Sequence, residues 1–120
     1  MARYKLLFAS VFAVSTFAIS SLVFSQSEDD SGCGVEPVAP EIVDGATSSM
    51  EDLVANSKAV NAYIADADTF LDCREAYVKG LDKSERDQHT GAISELTAKR
   101  NEIGDIFNAQ VAKFKEANPQ

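Results

Sequence analysis

The chain has 120 residues, with 11 Lys and Arg against 19 Asp and Glu, one His, two Cys and no Trp, a length that supports one small domain at most. A net charge of −8 argues against the cationic surface that neutralises nucleic-acid phosphates and against a polybasic grip on anionic lipid. A single histidine and no tryptophan leave metal clusters, histidine-based triads and aromatic stacking platforms without raw material, so no enzyme and no cofactor is expected.

Arg3 and Lys5 precede an uncharged apolar run from Leu6 to Phe24, and Val23-Phe24-Ser25 closes it with small or branched side chains. This is the pattern of a secretory signal peptide over residues 1–25, cleaved before Gln26. The competing reading is a retained membrane anchor; the serines that dilute the run and the cleavage pattern favour export. Cleavage removes Arg3 and Lys5 and no acid, which leaves the mature chain more acidic still. Such a chain is soluble, and any charged partner it takes is cationic. The expectation is a periplasmic or secreted protein without stable membrane insertion after cleavage.

Residues 26–34 are polar and read as a disordered leader. Over 35–45, Val35, Val38, Ile42 and Val43 alternate with Pro37 and Pro40, which fix φ and hold the residues before them extended. The four apolar side chains are expected to fill a groove.

From Ala46 to Lys79 the spacing turns helical, with Met50, Leu53, Val60, Ile64, Ala67, Leu71 and Val78 at steps built from three and four. Ser48 with Glu51 is the expected capping box, with Thr47 competing as cap. Gly80 is placed as a left-handed C′ residue with Leu81 packing back over the last turn. A second helix opens with Asp82 and Glu85, or with Ser84 and Asp87, and carries Ile93, Leu96, Ile103, Phe107, Val111 and Phe114 on one face to about Ala117, before Pro119. Two long helices joined by so short a turn are antiparallel neighbours. The expected fold is therefore an all-α helical hairpin over 46–118, with helices at about 47–79 and 83–117. A turn centred near Leu81 and Asp82 sets Val60 against Ile103, Ala67 against Leu96, Phe70 against Ile93 and Met50 against Phe114 or Lys113, if both helices rise equally. Ala55, Ala59, Ala62 and Gly104 would permit close approach, while Gly91 and Gly104 each weaken the second helix by about 1 kcal/mol.

An even cysteine count in an exported chain points to a Cys33–Cys73 disulfide. About 14 residues separate Cys33 from the helix start, a reach of about 46 Å when extended, and Cys73 lies about 39 Å along the helix. The bridge closes only if the proline segment runs back, nearly straight, along the hairpin. Bond and segment therefore support each other, and a loop of about 40 residues stabilises by roughly 4 kcal/mol in the chain-entropy model. There is no C-x-x-C and only His89 as a base for a reactive thiol.

His89 follows Asp87 and Gln88 and reads as a solvated residue, with Asp87 or Cys73 the partners that a metal site would need. Tyr63, Phe70 and Tyr77 recur every seven residues. They read as core beneath the extended segment, with Tyr63 stacking on Arg100, or as a face for another chain. Asp66, Asp68, Asp72 and Glu75 form an acidic patch, expected to be solvated, whose sharper reading is a divalent-cation site.

The stretches Asp44-Gly45-Ala46, Ala62-Tyr63, Phe70-Leu71-Asp72-Cys73, Phe107-Asn108-Ala109-Gln110-Val111 and Phe114-Lys115 together resemble a pattern in small uncharacterised exported helical proteins of Gram-negative bacteria. That resemblance spans most of the mature chain, implies a periplasmic setting and carries no activity over. The expected function is that of a non-enzymatic envelope protein presenting a helical surface, with coiled-coil character, to a protein partner or to a second copy of itself. A small periplasmic chaperone or stress protein is the alternative, and a metal carrier using the acidic patch is a further one.

Overall fold

The computed structural model describes residues 31–120. The expected signal peptide and residues 26–30 of the expected leader lie outside the described residues. Asp44 organises the approach to the first helix: its side chain accepts the Ala46 N–H at 3.0 Å, and its carbonyl accepts those of Thr47 and Ser48 at 3.2 and 3.0 Å. The chain is still turning there, which moves the helix start later than its composition predicts. Helix α1 runs Met50–Lys79, with Ser49 rather than Ser48 or Thr47 as cap. Ser49 Oγ accepts the Asp52 N–H at 3.1 Å and Asp52 Oδ2 accepts the Ser49 N–H at 3.2 Å, a capping box closed by Asp in place of the expected Glu51.

The end of α1 differs from the expected left-handed glycine cap. Gly80 has φ −83° and ψ −8°, which is right-handed; its N–H donates to Tyr77 O at 3.1 Å, and Leu81 N–H donates to Val78 O at 3.2 Å. The last carbonyls are thus satisfied by a tightened final turn. Asp82 then caps helix α2, Lys83–Ala117, its Oδ1 accepting the Glu85 N–H at 3.0 Å. At the far end Asn118 donates its N–H and Nδ2 to Phe114 O at 3.0 and 2.9 Å, just before Pro119.

The two helices form the antiparallel hairpin that their spacing predicts. Along α1 the side chains of Leu53, Asn56, Val60, Tyr63, Ala67, Phe70, Arg74 and Val78 are buried, and the steps of three and four between them trace one stripe. On α2 the half-buried His89, Ile93, Arg100, Ile103, Phe107, Gln110 and Phe114, with Leu96 fully buried, trace the matching one. The expected register holds at the centre: Ala67 and Leu96 are both almost wholly buried, and Phe70, Leu71, Leu96 and Ile93 pack together. At the open end Met50, expected opposite Phe114 or Lys113, is 56% exposed and adds little to the seam. Ala55, Ala59 and Ala62 face solvent and play no part in close approach.

Residues 33–45 run back along α1 as a strap without regular secondary structure, tied to it by the Cys33–Cys73 disulfide, whose Cα atoms lie 5.7 Å apart. The expected inside and outside hold at Ile42 and Val43 and fail at Val35 and Val38. Cys33, Pro37, Pro40, Ile42 and Val43 are its half-buried positions and Gly45 is buried, while Val35 and Val38 are 40% and 75% exposed. From Val35 to Glu41 the pattern follows the three residues per turn of a polyproline-type chain, with Pro37 and Pro40 on the inner side and Val35, Val38 and Glu41 facing out; Ile42 and Val43 are both half-buried where the strap reaches Asn56. Alternation of period two, the pattern of a flat strand, does not describe it. α1 is covered on two sides, by α2 and by the strap, which is why its buried stripe is the wider one.

Candidate functional site

The strap is fixed at several heights. Asn56, buried on the α1 stripe, donates Nδ2 to Glu41 O at 2.7 Å and accepts the Val43 N–H on Oδ1 at 3.1 Å, so one amide holds both faces of a single residue pair. One step on, Gln110 Oε1 of α2 accepts the Gly45 N–H at 3.0 Å. The approach is so close that a Cβ on Gly45 would overlap the Gln110 carbonyl; only glycine fits. At the other end stands the disulfide, with Cys33 packed against the Phe70, Leu71 and Leu96 cluster. Between these ties, the backbone of residues 34–40 makes no hydrogen bond among the described residues.

Of the expected interaction face, Tyr63 and Phe70 are 4% and 8% exposed and lie under the strap, and Tyr77 is half-buried. Burial pushes the Tyr63 phenol above its ordinary range, against a smaller opposing pull from Lys99 and with a small push from Glu36. Two open grooves flank the strap: one of about 490 Å³ between Val35–Ala39, Tyr63 and Lys99, and one of about 530 Å³ bounded by Cys33, Val38, Asp66, Thr69, Phe70 and Cys73. Pro37 and Pro40 bring no N–H, so the strap offers no continuous ladder of donors to another strand.

Arg100 does not stack on Tyr63. It forms a two-pronged pair with Asp68, Nε to Oδ1 at 2.7 Å and Nη2 to Oδ2 at 2.8 Å, bridging α2 to α1. Its hydrogen bonds hold the Asp68 carboxyl below the usual carboxylate range. The cation over an aromatic ring is instead Arg74, 5.7 Å from the centre of Phe70. Arg74 also donates Nη2 toward His89 Nδ1 at 3.1 Å, and since guanidinium only donates, Nδ1 is the acceptor. The His89 ring meets Tyr77 edge-on at 5.5 Å. His89 is therefore part of the seam, not a solvated residue. The partners a metal site there would need are engaged elsewhere, Asp87 with Lys83 at 2.7 Å and Cys73 with Cys33.

The acidic patch does not converge. Among the described residues no three His, Cys, Asp or Glu side chains gather to hold a metal ion, and Asp68 is turned to Arg100. Among the same residues, no helix is long and apolar enough to cross a membrane.

Of the three residues that place the strap, Asn56 is absent from the expectations drawn from sequence, and Gly45 and Gln110 stand only within the stretches that carry the resemblance, with no role expected of them. Asn56 had a signal: it falls between Leu53 and Val60 on the apolar stripe, where a polar side chain needs a fixed partner. Gly45 and Gln110 had none, because their contact joins segments 65 positions apart. No protein-family model, curated protein or solved structure matches the chain. The disulfide marks a chain that folds in an oxidising, exported compartment.

Proposed function

We propose that the chain is a non-enzymatic periplasmic protein, delivered through a cleaved signal peptide over residues 1–25, that offers the strap side of its hairpin to a protein partner. One observation carries this reading: the valine Val38 is three-quarters exposed on a backbone clamped by a disulfide, Asn56 and Gln110. An apolar side chain presented outward on a segment tethered at both ends loses less freedom when a partner covers it than one on a free chain. Glu36 and Glu41 beside it, both exposed, suit a partner with cationic groups at its rim. The chain's net negative charge works against self-association, so a different protein is the partner favoured over a second copy.

The test is affinity capture from an envelope extract of the source organism on immobilised mature protein, run beside a Val35→Ser/Val38→Ser variant of unchanged helicity. A protein retained by the parent and lost on the variant supports the reading. Identical retention on both surfaces, or none on either, contradicts it. The mass of the exported protein tests the compartment separately, since retention of residues 1–25 would contradict cleavage.

A further inference from the structure

The ties of the strap are unequal in kind. Its C-terminal part is held by hydrogen bonds to buried or half-buried groups, from Asn56 to Glu41 and Val43 and from Gln110 to Gly45. Its N-terminal part, residues 33–40, is held by one covalent bond and by the packing of Cys33, Pro37 and Pro40, with no backbone hydrogen bond to either helix among the described residues. Open grooves run along both flanks of this part, and of the two sulfur-bearing residues Cys73 is the exposed one. Two links between α1 and α2 do not pass through the strap: Arg100 to Asp68 and Arg74 to His89 join the helices directly, and Ile93 of α2 packs on the same Phe70, Leu71 and Leu96 cluster that Cys33 touches.

We propose that the strap is a redox-operated flap: reduction of Cys33–Cys73 frees residues 33–40 to swing about Glu41 and uncover Tyr63 and Phe70, while the hairpin persists. The reductant is a dithiol. One of its thiolates attacks the sulfur of Cys73, the more exposed of the two residues, forming a mixed disulfide and releasing Cys33 as a thiolate. The second thiolate of the reductant attacks its own sulfur in that mixed disulfide, releasing Cys73. Two electrons pass from the dithiol, which leaves as a disulfide, and protons from water or the dithiol complete the two cysteine thiols. Opening turns a covered aromatic pair on α1 into an apolar face continuous with Ile93 on α2. The pairing of Asn56 with Glu41 and Val43 keeps the flap attached, so reoxidation closes it over the same site.

The experiment uses the mature chain carrying Tyr77→Phe, which leaves Tyr63 as the only tyrosine after residue 25. Iodide quenching of its emission and far-ultraviolet circular dichroism are followed before and after dithiothreitol. The expected result is a several-fold rise in quenching with the helical signal retained, reversed on reoxidation and permanent in Cys33→Ser/Cys73→Ser. Tyr63 staying shielded after full reduction would show that packing alone holds the strap down. Helicity lost together with shielding would show that the disulfide holds the whole fold. Either outcome overturns the flap.

Discussion

At Gly45 a hydrogen atom is the largest group the structure accepts. Its N–H is bonded to Gln110 Oε1, and the space where a methyl would stand is taken by the Gln110 backbone. Gly45→Ala must therefore push the strap off α2, and a loss of about 1–3 kcal/mol is expected from overpacking. Gly91 is the opposite case, open around its Cα; Gly91→Ala should raise stability by up to about 1 kcal/mol through helix propensity. Urea unfolding of the two variants measures both signs. Asn56→Ala leaves Glu41 O and Val43 N–H without their partner, and a cost of about 1–3 kcal/mol follows where the strap shields them from water.

Two carboxyls and one phenol give the stability a pH dependence with a defined sign. Asp68, beside Arg100, and Asp52, bonded by the Ser49 hydroxyl and N–H, are both held below their ordinary range. Groups whose folded value is lowered contribute fully above the ordinary carboxylate range, and that contribution is lost as pH falls through the folded value. Tyr63 is raised by burial, so its contribution is present below the ordinary phenol range and is lost as pH rises through the folded value. Melting temperature should fall at both extremes. Asp68→Asn should flatten the acid limb alone and Tyr63→Phe the alkaline limb alone; a variant that shifts the whole curve without changing its limbs would contradict the assignment.

At the scale of elements, the helices were legible because their signals are local. Apolar spacing, Asp82 with Glu85, and Pro119 all act within a turn or two of the boundaries they set. The first boundary slipped because Asp44 spends its carbonyl and carboxylate on Ala46, Thr47 and Ser48, a turn that competes with the helix for the same residues. The strap was half legible. Two prolines and the cysteine spans dictate an extended run back along the hairpin, but hydrophobicity points to the valines and Ile42 as the inward side chains. That holds at Ile42 and Val43, but at Val35 and Val38 the period of three reverses it: a proline ring packs without losing rotamer freedom and brings no N–H that needs a partner, so Pro37 and Pro40 take the inner side there.

The seam between the helices can be tested at Leu96. Buried against Phe70 and Leu71, Leu96→Ala should cost about 2–5 kcal/mol, while Glu95→Ala beside it, exposed and paired only with Lys99 one turn on, should change stability by less than about 0.5 kcal/mol. A helix rotated by one residue, about 100°, would carry Leu96 off the seam. Equal, small effects for both variants would therefore contradict the register as well as the burial.

On the scale of the whole molecule, two helices alone make a thin interior, and the strap with its disulfide is the third element that closes it. It covers Tyr63 and Phe70, turns Val35 and Val38 outward, and ties the start of the described chain to the end of the hairpin where Arg74 meets His89. Both the proposed partner surface and the proposed flap depend on this one arrangement. Mature protein unfolded without reductant, alkylated, digested and weighed tests it most directly. No label on either cysteine and a single peptide pair joined through Cys33 and Cys73 are expected. Full labelling of both thiols would mean that the strap is not tethered, and the arrangement built on it would fall.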